Sequence, residues 1–332
     1  MRKFIMIFML IILMFVSVQT INAQDKIVIK IGCDQAPSES IVYVTAKAMA
    51  DELEKLGNGR IEVELYAGAV LGVDKDMIEQ LKIGSLDIQS VVFANAAVFF
   101  PELGFFSMSY LFESFDHISK VMHNPVIMDK VKEVVSKKNQ GIVLLASTCT
   151  GCRNLYNNKR PVIKVDDMSG LKMRVMANPI ESKVWSAIGA MPTAMASQEI
   201  YSAMQTGVID AAESTIPAIT YNSFYEVAPY ISLTQHQFAT GGLFMNESKY
   251  NSLPEDVQKI VDEAASRAVE VGLELNKGLE EKYIMILLEK PGVVINAVNK
   301  VGFINKIKTL QDEVAKETGM EEIFELIKQE AK

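Results

Sequence analysis

The sequence predicts an α/β protein of two lobes with a cleft between them and a long helix spanning both. Three patterns carry this expectation. Strand and helix periods alternate from Lys26 to Val92, the alternation starts again beyond Gly141, and the stretch from Glu255 to Lys290 keeps a helical pattern without a proline. Once an N-terminal leader is set aside, about 309 residues remain, more than one core usually serves, so two domains are expected.

The leader comes first in the chain. Met1-Arg2-Lys3 precedes an apolar run from Phe4 to Val18, and the polar stretch Gln19 to Asn22 ends at Ala23. That is the pattern of a signal peptide spanning residues 1–23. The apolar run is shorter than the roughly 20 residues a membrane span needs. No cysteine directly follows Ala23, so a lipid anchor is not indicated. Removing the leader takes away Arg2 and Lys3 and no acid, and the net charge moves from −8 to −10. Nucleic acid is therefore an unsuitable partner. An acidic protein that binds an anion must use a few buried cations rather than its overall field.

Lys26 to Gly32 is an apolar, β-branched strand, and Ile41 to Leu56 follows as a helix with Val42, Ala46, Met49, Leu53 and Leu56 on one face. Gly57-Asn58-Gly59 stops it. Arg60 to Tyr66 alternates as a half-buried strand, Lys75 to Lys82 is a helix ended near Gly84, and Leu86 to Val92 returns as a strand. This order implies a largely parallel sheet. The second unit has strands at Gly141 to Ala146, Lys172 to Met176 and Val208 to Ala212, with helices at Pro179 to Ile188 and Gln198 to Gln205. Ser252-Leu253-Pro254-Glu255 reads as a capping box opening a helix of about 36 residues, about 54 Å long at 1.5 Å per residue. Pro291-Gly292 ends it, and Val301 to Ala331 is further amphipathic helix.

Chemistry is expected in the loops after strands, where two such lobes face each other. Arg153 follows the Gly141 to Ala146 strand, and Arg174 sits inside the apolar run Leu171 to Met176. A guanidinium in a short β run is costly to bury without an anion, and a ligand carboxylate can take two of its parallel N–H groups. A structural ion pair with a glutamate of the chain is the competing reading for both. Glu213 and His236 are further polar groups near strand ends, which taken alone read as ordinary loop polarity. Cys149 and Cys152 have redox spacing but follow a strand rather than open a helix, so a structural disulfide or two idle thiols is expected. His117, His123 and His236 are scattered, and neither metal nor cofactor is implied. The common nucleophile-elbow, nucleotide-loop and zinc-protease motifs are absent from the sequence. An enzyme is not expected.

Several longer motifs resemble one family. They include Leu71-Gly72, Glu79, Gly84-Ser85-Leu86-Asp87-Ile88, Phe100-Pro101-Glu102-Leu103 and Tyr110-Leu111-Phe112. The second unit adds Gly151-Cys152-Arg153-Asn154-Leu155-Tyr156, Gly170 to Val175, Gly189 to Thr193, Glu199 to Asp210, Tyr225-Glu226 and Thr234-Gln235-His236. From Val44 to about Ile323 the chain is similar to the solute-binding subunits of tripartite ATP-independent periplasmic (TRAP) transporters.

The resemblance implies a two-lobed periplasmic binding protein fold, with residues 24–150 plus about 239–278 as lobe 1 and residues 151–238 plus about 279–332 as lobe 2. It implies a monomer in the periplasm that passes a small organic acid to TRAP membrane subunits. Arg174 matches the arginine that binds the ligand carboxylate through two hydrogen bonds, and Arg153 matches a second arginine beside it. Glu213 and His236 match polar residues linking that second arginine to lobe closure. The chain departs from the family at Ser197, where a phenylalanine is usual, and at Ser214, where asparagine is usual. Arg174, Arg153 and Ser214 are thus expected at the carboxylate. Asp34, Ser90 and Asn95 in lobe 1, with Ser197, Glu213 and His236, are expected at the rest of the ligand. The smaller, hydroxylated lining points to a sugar acid such as a uronate or aldonate. A four-carbon dicarboxylate, or a role as ligand-sensing partner of a membrane receptor, are the alternatives.

Overall fold

The computed structural model describes residues 26–331, and the signal peptide read at residues 1–23 lies outside the described residues. Strand β1 (Ile27–Gly32), helix α1 (Ile41–Gly57), β2 (Ile61–Tyr66), α2 (Asp74–Ile83) and β3 (Ile88–Val92) follow the expected order. β1 pairs in parallel with both β2 and β3. Helices α3 (Phe115–His123) and α4 (Pro125–Ser136) then lead to β4 (Ile142–Asn157). The second unit has β5 (Lys172–Val175), α5 (Pro179–Ile188), β6 (Met191–Ala194), α6 (Ile200–Gln205) and β7 (Ala211–Thr215). The strand at Val208 to Ala212 thus begins three residues later than expected, because Val208 is held in the turn that closes α6 by the Ala203 carbonyl.

The sheet is mixed rather than largely parallel. A strand absent from the sequence reading, β8 (Tyr230–Asn246), lies at its centre, antiparallel to β3 on one side and β4 on the other. The order is β2-β1-β3-β8-β4-β7-β5-β6, with β9 (Val294–Ala297) added in parallel to β8. β4 is also much longer than the apolar run Gly141 to Ala146, so Cys149 to Arg153 belong to a strand and not to a loop after one. Both long strands are hidden by composition. Thr234 to Gln237 and Thr240-Gly241-Gly242 read as polar loop, yet Thr234, His236, Gln237 and Thr240 are buried within the sheet. Gly242 is required there, since a Cβ would come within 2.6 Å of the Ala146 carbonyl oxygen.

The expected long helix is two. α7 (Glu255–Asn276) and α8 (Leu279–Leu288) meet at Lys277-Gly278, where Gly278 has a φ of 78° that only glycine adopts freely. The capping box does not form. Ser252 closes the preceding short helix, its hydroxyl donating to the Lys249 carbonyl at 2.7 Å, and Pro254 stands at the N-cap of α7. The C-terminal stretch is likewise divided at Gly319 into α9 (Val301–Thr318) and α10 (Glu321–Glu330).

One core joins Ile31, Met49, Leu53, Ile88, Met245 and Val261 around α1 and α7. Another joins Tyr156, Ile200, Met204, Ile219, Ile231 and Leu287, so α7 and α8 serve different cores. A third and larger cluster ties the units together through Phe93, Phe106, Trp185, Phe303 and Phe324. Phe324 of α10 packs edge-on against Phe105, and the Ile327 carbonyl lies 2.8 Å from Nε2 of His117 on α3. Each buried Phe contributes roughly 1.5–3 kcal/mol, enough to hold α10 on the first unit.

These glycines differ in what a side chain would meet. Gly278→Ala faces no atom within 4 Å and should cost only its left-handed backbone, about 1 kcal/mol. Gly242→Ala meets the fixed backbone of β4 and should cost about 3 kcal/mol. Urea unfolding of the two variants checks this, and equal midpoints would contradict the close approach of β4 and β8.

Candidate functional site

A cavity of about 500 Å³ opens between the two units, where β4, β5 and β7 of one side face the ends of β1 and β3 on the other. Arg174 projects into it from β5 and is only 3% exposed. Its Nε and Nη2 both donate to the Met195 carbonyl, at 3.0 and 2.9 Å, which fixes the guanidinium plane. Among the described residues no carboxylate lies within 4 Å of it. Burial pulls its pKa down, as expected of a desolvated cation without a close counter-ion, although the group stays charged at any ordinary pH.

Arg153, on β4, is placed differently. The register sets Arg153 opposite Thr215 and Leu155 opposite Glu213, and the arginine folds back onto that glutamate. Its Nε donates to Glu213 Oε2, while Nη2 donates to Oε1 at 2.7 Å and to the Glu213 carbonyl at 2.8 Å. The glutamate that the sequence left open as an internal partner is therefore Glu213. Burial alone would raise the Glu213 pKa, but the charge and hydrogen bonds of Arg153, with His236 nearby, hold it far below the usual carboxylate range.

His236 stands behind this pair and does not line the cavity. Its Nδ1 is 2.8 Å from the Thr234 hydroxyl, its Nε2 is 3.6 Å from Glu213, and the Trp185 ring meets it edge-on. Burial lowers its pKa and favours the neutral ring. Ser214 and Ser197 both line the cavity. Ser90 does not. It shares a face of β3 with cavity-lining Val92 but lies deeper, and its hydroxyl donates to the Val42 carbonyl at 2.8 Å in the first turn of α1. Asp34 and Asn95 do line the cavity, as expected.

The sequence reading passed over several groups. Asp74, the first residue of α2, looks in sequence like any acid at a helix start, yet it is buried against the cavity. Glu181 in α5 is hidden by its polar neighbours Ser182 and Lys183. Its Oε2 accepts from the Met176 amide at 3.1 Å while Oε1 has no partner among the described residues. At the cavity mouth Glu39 accepts from Lys282 at 2.7 Å and from the Tyr283 hydroxyl at 2.6 Å, and Gln198 reaches across to Asp34 at 3.4 Å. Cys149 and Cys152 are free thiols, and burial pushes Cys149 up to about 12, so neither is poised for redox exchange.

Glu181 gives a pH signature. Burial, and then the charge of Glu213, raises its pKa from 4.5 to about 7. Between those values the folded protein keeps a proton that the unfolded chain has lost, so this group's contribution to stability falls as pH rises from 4.5 to about 7. Glu181→Gln lacks that loss. Its urea midpoint relative to wild type should climb across this window, whereas a difference independent of pH would mean that Glu181 is not titrating there.

Residues 33–318 match the family described as bacterial extracellular solute-binding protein, family 7. A solute-binding protein of Sulfitobacter sp. (strain NAS-14.1) is 30% identical over 311 residues, covering 93% of each chain. The sialic acid-binding periplasmic protein of Vibrio cholerae is 30% identical and covers 77% of this chain and 78% of its own. Among solved structures, a TRAP periplasmic solute-binding protein from Anaerococcus prevotii with bound glucuronate superposes with a TM-score of 0.86 at 26% identity, covering 92% of this chain and 98% of that one. One from Chromohalobacter salexigens, also with bound D-glucuronate, gives 0.84 at 29% identity, covering 91% and 99%. With the two-lobed α/β architecture and a family match over most of its length, the chain belongs to bacterial extracellular solute-binding protein family 7, the solute-binding proteins of TRAP transporters, and is not an enzyme.

Proposed function

We propose that this protein binds a small carboxylic acid, a sugar acid such as a uronate or aldonate, in the cleft and delivers it from the periplasm, as a monomer, to TRAP membrane subunits. The observation that carries the reading is Arg174, a buried guanidinium held flat by the Met195 carbonyl and lacking any carboxylate within 4 Å among the described residues. An unpaired buried cation is costly, and a ligand carboxylate is the group that relieves the cost. Arg153 is held by Glu213, so it contributes field and shape beside the carboxylate, with Ser214 adjacent. Several related structures hold sugar acids, among them glucuronate, galacturonate and galactonate.

Closure follows from the connections. With α10 folded back onto α3 of the first, the proposed lobes, residues 24–150 with 239–278 and residues 151–238 with 279–332, are joined along the chain at three places. These are the β4 irregularity between Cys149 and Gly151, the paired position Ala239 on β8, and the helix break at Gly278. Bending at these points brings Asp34 and Gln198 together over the ligand and expels water, which strengthens the pairing with Arg174. A ligand lacking the carboxylate leaves Arg174 unpaired and is rejected.

Thermal unfolding of the mature protein with a panel of uronates, aldonates, sialic acid, dicarboxylates and aromatic acids tests this. At least one sugar acid should raise the melting temperature of wild type. The same acid should bind Arg174→Ala about 2–5 kcal/mol more weakly. An equal response of the variant would make Arg174 structural and remove the basis of the reading.

A further inference from the structure

The wall opposite the arginines is acidic. Asp34, in the loop after β1, and Asp74, at the start of α2, line the same cavity as Arg174 and are 9% and 6% exposed. Among the described residues neither carboxyl has a lysine, arginine or histidine within 4 Å. Their hydrogen bonds come from neutral amides. Gln89 Nε2 donates to Asp74 Oδ1 at 3.1 Å and Asn95 Nδ2 to Oδ2 at 2.7 Å, while Gln35 and Gln198 donate to the two oxygens of Asp34 at 3.0 and 3.4 Å. The cleft is therefore bipolar, with a bare cation at one end and two buried acids at the other.

A ligand end that meets this wall must bring hydrogen-bond donors and no negative charge. A further anion placed beside two buried carboxyls would be repelled in a medium that screens poorly. Amides already occupy oxygens of both acids, which leaves positions suited to the single, directed O–H donors of a polyol. Taking Arg174 as the carboxylate site, we infer that Asp34 and Asp74 are specificity-determining residues that accept the hydroxyl-rich, uncharged end of the ligand and exclude a second carboxylate. The ligand is then a polyhydroxy monocarboxylate, and the corresponding diacid is rejected at the far end of the cleft. Burial raises the pKa of both acids, and the charge of Asp34 raises that of Asp74 further.

Calorimetric titration with matched acids tests the assignment. Glucuronate and galacturonate, the corresponding aldonates, and the aldarates that carry a carboxylate at both ends of the same carbon chain are titrated into wild type, Asp74→Asn and Asp34→Asn. Melting curves confirm that each variant is folded. Wild type should bind its preferred monocarboxylate at least about tenfold more tightly than the matching aldarate, about 1.4 kcal/mol. Asp74→Asn should shrink that ratio, chiefly by improving aldarate binding, and Asp34→Asn should act in the same direction. Equal affinity of wild type for acid and diacid, or a ratio unchanged in both variants, would overturn the inference. If none of the acids binds wild type, the carboxylate reading of Arg174 fails, and this inference falls with it.

Discussion

Arg174 is a positive charge taken out of water and given only a carbonyl oxygen in return. Folding tolerates such a group because the rest of the site is arranged around it. The neighbouring arginine has its own acid, Glu213, and that acid is in turn supported by neutral His236 and the buried strand pair β4 and β7. Two cations and one tightly bound anion leave one unit of positive charge uncompensated within hydrogen-bonding reach. The acids across the cavity, Asp34 and Asp74, are too far to pair with it, although the Arg174 charge is felt at Asp34. In the proposed complex a ligand carboxylate completes the arrangement.

The scaffold explains how such a site can both open and stay precise in outline. β4 and β8 run through both units, so each carries residues of either side: Leu144 and Leu243 pack in the first unit, Leu155 and Ile231 in the second. Their pairing is irregular between Cys149 and Gly151, where Gly151 has a φ of 118° and a Cβ would strike Thr215. This irregular ladder lies beside the helix break at Gly278, where the proposed closure bends the molecule. The aromatic cluster that includes Phe106, Trp185 and Phe324 ties the units together.

Much of this was legible in the sequence where one face of an element is apolar. The helix from Ile41 and the helix at Pro179 to Ile188 stand where their periodicity puts them, and the arginines stood out as cations within apolar runs. What was hidden shares one cause, polar groups satisfied by residues distant in the chain. β8 reads as loop because Thr234, Gln235 and His236 bond to Leu155, Asn154 and each other rather than to water. Asp74 reads as a helix-start acid because its amide partners, Gln89 and Asn95, arrive from β3 and the turn beyond it. Ser90 was expected in the cleft from strand position alone, and only the packing of α1 over β3 turns it inward. The helix run past Gly278 failed for a local reason, since one glycine at positive φ is enough to redirect a chain whose apolar pattern continues.

The central claim is that a ligand carboxylate neutralises Arg174. Its most direct test is a calorimetric comparison, on the wild-type mature protein, of the tightest-binding uronate with the uronamide of the same sugar, equal in size and hydroxyls but uncharged. The uronamide should bind about 2–5 kcal/mol more weakly, because it leaves the buried guanidinium without its anion. Equal affinity for the two would contradict the account and place recognition in the hydroxyl contacts alone.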